Sequence, residues 1–403
     1  MHSIRSSSPA IGHTPFSTNI KPPAISAQNH MNATKTMIDF SLAPGVDAVR
    51  TWPVSWSSQN IIVFGRGNRV YYKNLQTTTD EIKQLCKVRE CSGDLRLLEC
   101  GGKDMPNIVA SCAAQGYVQL WDITTKKTVS QWTTPGGVHS MKWNGPVLTI
   151  GGPRGTIKHY DTRISPQAKM KEQAKRVTRH QAPICSLSWN SQGKLLASGD
   201  ETGLIYCWDT RQNAPLDVGE LIQRRRKMQH NGPVHALAWC PWKPELLASG
   251  DSAADKSGTI RLWSVNSSSS TNNGYPDKVE LDAPITSLHF SPHCKELLST
   301  HGLGKTTPVP QGHDPETLTT IERDPIPSKY SNSAVVHSWP SMRHVVTKSM
   351  GTGNVVGSLL SPNGCKVVFA VPEEGKLKVW DVWGKPGGLK RQPSALSIEG
   401  RIR

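Results

Sequence analysis

Short runs of alternating apolar and small residues, broken by glycine, proline and polar turns, recur along this chain. The clearest unit, residues 234–265, reads VHALAWCPWKPELLASG, then a polar loop, then TIRLWSV. Its partner at residues 184–210 reads ICSLSWNSQGKLLASGDETGLIYCWDT. Val234, Ala236 and Ala238, like Ile184, Ser186 and Ser188, occupy every second position. That period belongs to strands, and it predicts one shared face for each trio. Ser-Gln-Gly at 191–193 and Pro-Asn-Gly at 362–364 mark turns between two such strands. Leu-Leu-Ala-Ser-Gly supplies a second strand with small residues where sheets approach closely. A third strand ends in tryptophan, a large ring for the space between sheets.

Seven copies of this unit are present. The first spans residues 55–74 and the second ends at Trp121; in the third, Tyr160 takes the tryptophan's place. The fourth and fifth end at Trp208 and Trp263. The sixth begins at Ile285, is interrupted by a Pro-rich insertion at about 302–332, and ends at Trp339. The seventh ends at Trp380. Self-similarity at roughly 40–50 residues that closes on Trp-Asp is the mark of WD-repeat blades. The fold expected is all-β, a seven-bladed WD-repeat β-propeller over residues 45–383. A lone blade cannot bury both faces, whereas a closed ring buries each on the next. Residues 1–44, rich in Ser, Thr, Asn and Pro, read as a disordered arm, and 384–403 as a basic tail ending in Ile-Arg.

The chain's 403 residues carry a net charge of +16. Two basic clusters fall before the fourth and fifth blades: residues 169–179, and Arg224, Arg225, Arg226 and Lys227. They read either as contacts for nuclear import or an acidic partner, or as a solvated loop. No aromatic residues interleave with them, so single-stranded nucleic acid is not the expected partner. No run reaches the ~20 apolar residues of a membrane span, which points to a soluble intracellular protein without a membrane partner. Nine cysteines occur without a CxxC pair. Cys112, Cys185, Cys207 and Cys365 are placed in strands, as reduced and buried thiols.

Catalytic chemistry finds little support. His180 and His230 each precede a first strand, where a structural hydrogen bond to the Trp strand is expected. His293, Cys294 and His301 lack a second ligand pair for a metal and read as packing residues. Gly304-Lys305-Thr306-Thr307 resembles the end of a phosphate loop but has no helix after it. No enzyme, cofactor or metal is expected.

Two segments go beyond generic repeats: QHNGPVHALAWCPWKPELLASG at 229–250 and SPHCKELLSTHG at 291–302. With WSSQN at 56–60 and the final Ile-Arg, they resemble the Fizzy family, activators of the anaphase-promoting complex. The resemblance implies a non-catalytic activator and substrate adaptor of that ubiquitin ligase. It would act in mitotic or meiotic cell-cycle proteolysis, in nucleus and cytoplasm. By the same resemblance Ile402 and Arg403 dock in a groove of a helical-repeat subunit. A guanidinium, a free carboxylate and an apolar anchor suit that task. Degron-bearing substrates would meet a face containing Ser55, Trp56, Glu201, Ser333 and Lys378. At four of these positions the chain departs from the family. Ser55 stands for an aspartate, Glu201 for an asparagine and Ser333 for a glutamine. Lys378 stands for an arginine, keeping charge without the planar fork. The family's Asp-Arg-Phe/Tyr-Ile-Pro box has no match in residues 1–54, and the permuted string at 323–327 lies in the insertion. Two alternatives follow: a basic scaffold in a nuclear or ribonucleoprotein assembly, or a degenerate member that no longer presents substrates.

Overall fold

The protein is described here by a computed structural model covering residues 24–43, 46–48, 52–77, 81–212, 214–222, 224–265, 278–307 and 326–385, with backbone alone at 312–313 and 320–321. Seven antiparallel sheets follow one another around a ring. In the first six the four main strands run outward in chain order. The second blade, for example, pairs Leu95–Cys100, Ile108–Ala113, Tyr117–Asp122 and Lys127–Thr133 in sequence. The fourth blade gains a fifth strand, Glu220–Ile222, hairpinned onto Arg225–Gln229. In the sixth, the insertion separates the second strand, Glu296–His301, from the third, Ser333–Ser338.

The seventh blade is assembled from both parts of the chain. Gly357–Leu360, Lys366–Val371 and Lys376–Asp381 form three strands, and Asn32–Asp39 adds the fourth, with Met37 opposite Lys378. The arm expected over 1–44 therefore stops short of residue 44. Ile38 and Phe40 are buried against Val368 and Leu377, which supplies the apolar contact that the polar composition concealed. Gly384 N–H donates to Ile25 O at 3.0 Å, so the described end of the tail also belongs to this seam.

The strand faces differ from the simple alternation. A bulge falls between Ile184 and Ser186, between Val234 and Ala236, and at the matching place in the second and sixth blades. The extra residue turns Val234 toward the fourth blade while Ala236 and Ala238 face the sixth. Val234 then fills a gap that a glycine leaves: a Cβ on Gly199 would sit 2.7 Å from Val234. Gly250 and Gly151 face Ile285 and Ile184 in the same way, at 2.5 and 2.7 Å. The Ala-Ser-Gly of the second strand is thus a socket for the next blade's first residue. Burying each such Val or Ile contributes about 1.5–3 kcal/mol.

Cross-strand register also relocates one tryptophan. Trp208 faces Leu196 and Trp263 faces Leu247; the equivalent pair in the sixth blade is His337 with Leu297. Trp339, expected to end that strand, lies just beyond it. Cys112 and Cys207 are buried in strands, and desolvation pushes both thiols up to about 12. Cys185 is only half-buried, and Cys365 sits in the turn before its strand rather than within it.

Candidate functional site

The fourth and fifth repeats tie their ends together with polar side chains. In the fourth blade Trp208 Nε1–H donates to Ser198 Oγ at 2.8 Å, and Ser198 Oγ meets His180 Nε2 at 2.8 Å. The Asp200 carboxylate beside Nδ1 only accepts, so the proton of a neutral imidazole lies on Nδ1 and the Ser198 hydroxyl donates to Nε2. Nδ1 donates to Asp200 at 2.7 Å. Burial pushes the Asp200 carboxyl up, but bonds from His180, Thr202 and Leu204 outweigh it and hold it below the usual range. The fifth blade repeats the relay through Trp263, Ser249 and His230, with Asp251 withdrawn to 3.5 Å from Nδ1. His180 and His230 therefore take the structural role expected of them.

The turns after these second strands shape the open end of the ring. Glu201 N–H donates to Pro183 O, Ser252 N–H to Pro233 O and Gly302 N–H to Pro284 O, at 3.0–3.2 Å. These repeated contacts gather Glu201, Cys185, His139, His235 and Asp47 around one cavity of about 220 Å³. Its lining comes from the starts of the third, fourth and fifth blades together with the segment before the first. Acidic, imidazole and thiol groups face one another there, a setting for a cationic or hydrogen-bonding side chain.

The five residues proposed for substrate contact do not form one face. Ser55 is buried and its Oγ accepts the Cys100 N–H at 2.9 Å, joining the first blade to the second. Trp56 packs in the core between the seventh and first blades and donates to Asn60 Oδ1 at 3.0 Å. Ser333 is buried and donates to Tyr330 O at 2.7 Å. Lys378 reaches Met350 O at 2.7 Å and Glu374 at 2.5 Å, across the sixth and seventh blades. Of the five, Glu201 lines the axial cavity. Small hydroxyls can sit on a strand and cap a neighbouring backbone, as Ser55 and Ser333 do.

The basic cluster divides. Arg224 holds the hairpin turn at φ +68°, and Arg226 donates to Gly219 O at 3.3 Å. Arg225 and Lys227 point into a cleft on the other side of the strand. Ile402, Arg403 and residues 323–325 of the permuted string lie outside the described residues, while its last two, Ile326 and Pro327, pair with Thr306 and Thr307. His293 Nε2 meets Asn363 O at 2.6 Å, and His301 Nε2 meets Ser299 Oγ at 2.8 Å, so both are tied into blade packing. Among the described residues no group of three or more His, Cys, Asp or Glu could hold a metal ion. Sequence reasoning missed Glu296. This buried carboxylate accepts from Ser26 Oγ at 2.5 Å, Ala27 N–H at 3.0 Å and Trp383 Nε1 at 2.8 Å. The only signal was its place in the SPHCKELLSTHG run.

The closed ring with its Trp–Ser–His relays is a WD-repeat β-propeller, and a family model for the WD domain, G-beta repeat matches residues 171–209 and 223–264. Within that class, the chain is similar to "Cell division cycle 20.5, cofactor of APC complex" of Arabidopsis thaliana, 28% identical over 85% of the chain. It is 29% identical over 83% of the chain to "Anaphase-promoting complex subunit cdc20" of Dictyostelium discoideum. It is 27% identical over 93% to "WD repeat-containing protein slp1" of Schizosaccharomyces pombe. The resemblance to the Fizzy family read from the motifs is borne out by these relatives. The chain spans 67% and 58% of the length of the first two. A chain in the crystal structure of a mitotic checkpoint complex shares the fold, with a TM-score of 0.69 at 24% identity, covering 95% of this chain and 99% of that one.

Proposed function

We propose that this protein is a non-catalytic activator and substrate adaptor of the anaphase-promoting complex, acting in cell-cycle ubiquitin-dependent proteolysis in nucleus and cytoplasm. The observation that carries the reading is similarity over most of the ring to relatives named as cofactors or subunits of that complex. The ring supports it as a rigid frame that presents loops and clefts to other proteins. Ile402 and Arg403 supply the docking dipeptide, and degron-bearing proteins are the cargo. The test is capture of purified anaphase-promoting complex by the intact chain and by the chain lacking Ile402-Arg403. Capture that falls at least tenfold on removing the dipeptide supports the reading; no capture by the intact chain rejects it.

A second reading is favoured by Ser55. Its hydroxyl is committed to a backbone N–H between blades and carries no charge to pair with a degron arginine. A chain that occupies the ligase without presenting arginine-containing degrons would follow. It predicts ligase capture without stimulated ubiquitination of such substrates.

A further inference from the structure

The two basic clusters, some fifty residues apart in sequence, meet in one cleft between the third and fourth blades. Val177 and Arg179 lie two positions apart at the end of the third blade's outer strand. Val177 packs with Leu196 and Trp208 of the fourth blade, so that strand overhangs its neighbour. On the facing edge, Met228 is buried toward the fifth blade, and strand alternation turns Arg225 and Lys227 the opposite way. Arg179, Arg225 and Lys227 line a cavity of about 550 Å³, with Thr202, Gln181 and Tyr206 beside them. None of the three cations makes a hydrogen bond or ion pair among the described residues. Some cations elsewhere in the ring are paired, as Arg261 with Glu220 and Lys305 with Asp255. Asp200 also borders the cavity, but its oxygens already accept from His180, Thr202 and Leu204.

Below this basic chamber the same cleft holds a second cavity of about 380 Å³. Its lining combines Val177, Leu196, Trp208, Trp189 and Ile164 with the charged Asp161, Asp209 and Lys175. Tyr206 lines the basic chamber and Trp208 the second, with their ring centroids 5.8 Å apart. Two strand positions separate the chambers on each wall, about 7 Å.

We propose that this cleft binds a phosphorylated protein segment in extended form. The phosphoryl group sits among Arg179, Arg225 and Lys227, and an apolar side chain two or three residues away enters the lower chamber. A phosphoryl group offers about two negative charges and three acceptor oxygens to converging guanidinium groups. A nucleic-acid strand fits less well. The aromatic rings here already pack edge-on, His180 against Tyr206 at 4.7 Å and Tyr206 against Trp208, and the cations converge instead of tracking a backbone. This site is independent of the docking dipeptide, and the proposal does not rest on the ligase reading.

The full chain, probed with an immobilised degenerate peptide library centred on phosphothreonine and with its unphosphorylated twin, tests the site. Selective retention by the phosphorylated library, with an apolar residue enriched two or three positions away, is expected. For the best sequence, R179A and the pair R225Q/K227Q each weaken binding about tenfold or more in fluorescence anisotropy. R224Q/K127Q, which removes as much charge outside the cleft, changes it less than twofold. Equal retention by both libraries overturns the proposal. So does an equal loss in R224Q/K127Q, or displacement of the peptide by a single-stranded oligonucleotide at lower concentration. Melting temperatures of all variants, expected unchanged for these exposed side chains, separate lost binding from lost fold.

Discussion

The fourth and fifth blades and the seam around the sixth and seventh solve the same problem by different means. In the former, each repeat locks itself: Trp208–Ser198–His180–Asp200 and Trp263–Ser249–His230 link residues at most 33 positions apart. In the sixth blade the relay is dismantled. His301 stands on the strand where the others have Asp200 and Asp251, and His337 fills the tryptophan's slot with its Nδ1 unpartnered. What replaces it is long-range. Glu296 binds Ser26 and Ala27, about 270 residues away, and the Trp383 indole. A ring closed without a covalent bond gains most from contacts that join its two ends. The seam has exchanged local order for closure.

That contrast makes Glu296 the most sensitive point in the molecule. Glu296→Ala removes the acceptor of three donors at once and leaves the Ala27 N–H and the Trp383 indole N–H buried. Unsatisfied buried donors cost about 1–3 kcal/mol each. A loss of about 4 kcal/mol in urea unfolding is expected, with protease cleavage within residues 24–43 before any other site. Glu296→Gln, which keeps an acceptor oxygen, falls between. Global unfolding of E296A without early cleavage at that segment would mean that the seam is not a separable closure.

The local relays should show a smaller and repeatable effect. Ser198→Ala and Ser249→Ala each strand a Trp N–H and a His nitrogen, for about 2 kcal/mol. Ser299→Ala loses only bonds to His301 and Val335 O, and about 1 kcal/mol is expected. Chemical denaturation of the three variants side by side measures the difference. Equal losses would show that the sixth blade's hydroxyl is as central as the others.

Much of this contrast follows from which contacts leave a periodic trace. The seven units and the histidines before the fourth and fifth blades were legible, because the same strand and turn pattern recurs along the chain, and the insertion was legible as the break in it. The fourth strand of the last blade was not. Asn32–Asp39 has a mixed pattern with one buried residue, Ile38, and takes its place through backbone pairing with a segment more than 300 positions away. Bulges hid the facing of Val234 and Ile184, since one inserted residue reverses a face without altering composition. The substrate-contact residues were the least legible. The resemblance pointed to Ser55 and Ser333, and in the structure both hydroxyls bond to nearby backbone groups, which no sequence pattern announces. The two basic clusters were visible as charge, while their convergence depended on strand alternation across two blades.

The least of the expected effects separates the two regions by pH. His289, His301 and His337 all lie in the sixth blade, and burial lowers them to about 4, 3 and 4 respectively. In the unfolded chain each has an ordinary value near ~6.5. Between those limits the unfolded state binds protons that the folded blade refuses. The stability they carry is therefore complete above about pH 6.5 and is lost as pH falls toward 4. Hydrogen exchange at pH 5.5 should show protection falling first in residues 285–349, with the fourth and fifth blades retained. His337→Leu, which removes an imidazole whose Nδ1 has no partner, should leave stability at pH 7.5 nearly unchanged. At pH 5.5 it should recover about 1 kcal/mol relative to the parent chain. An unchanged pH slope in this variant would place the acid sensitivity elsewhere in the ring, and the sixth blade would then differ from its neighbours in geometry alone.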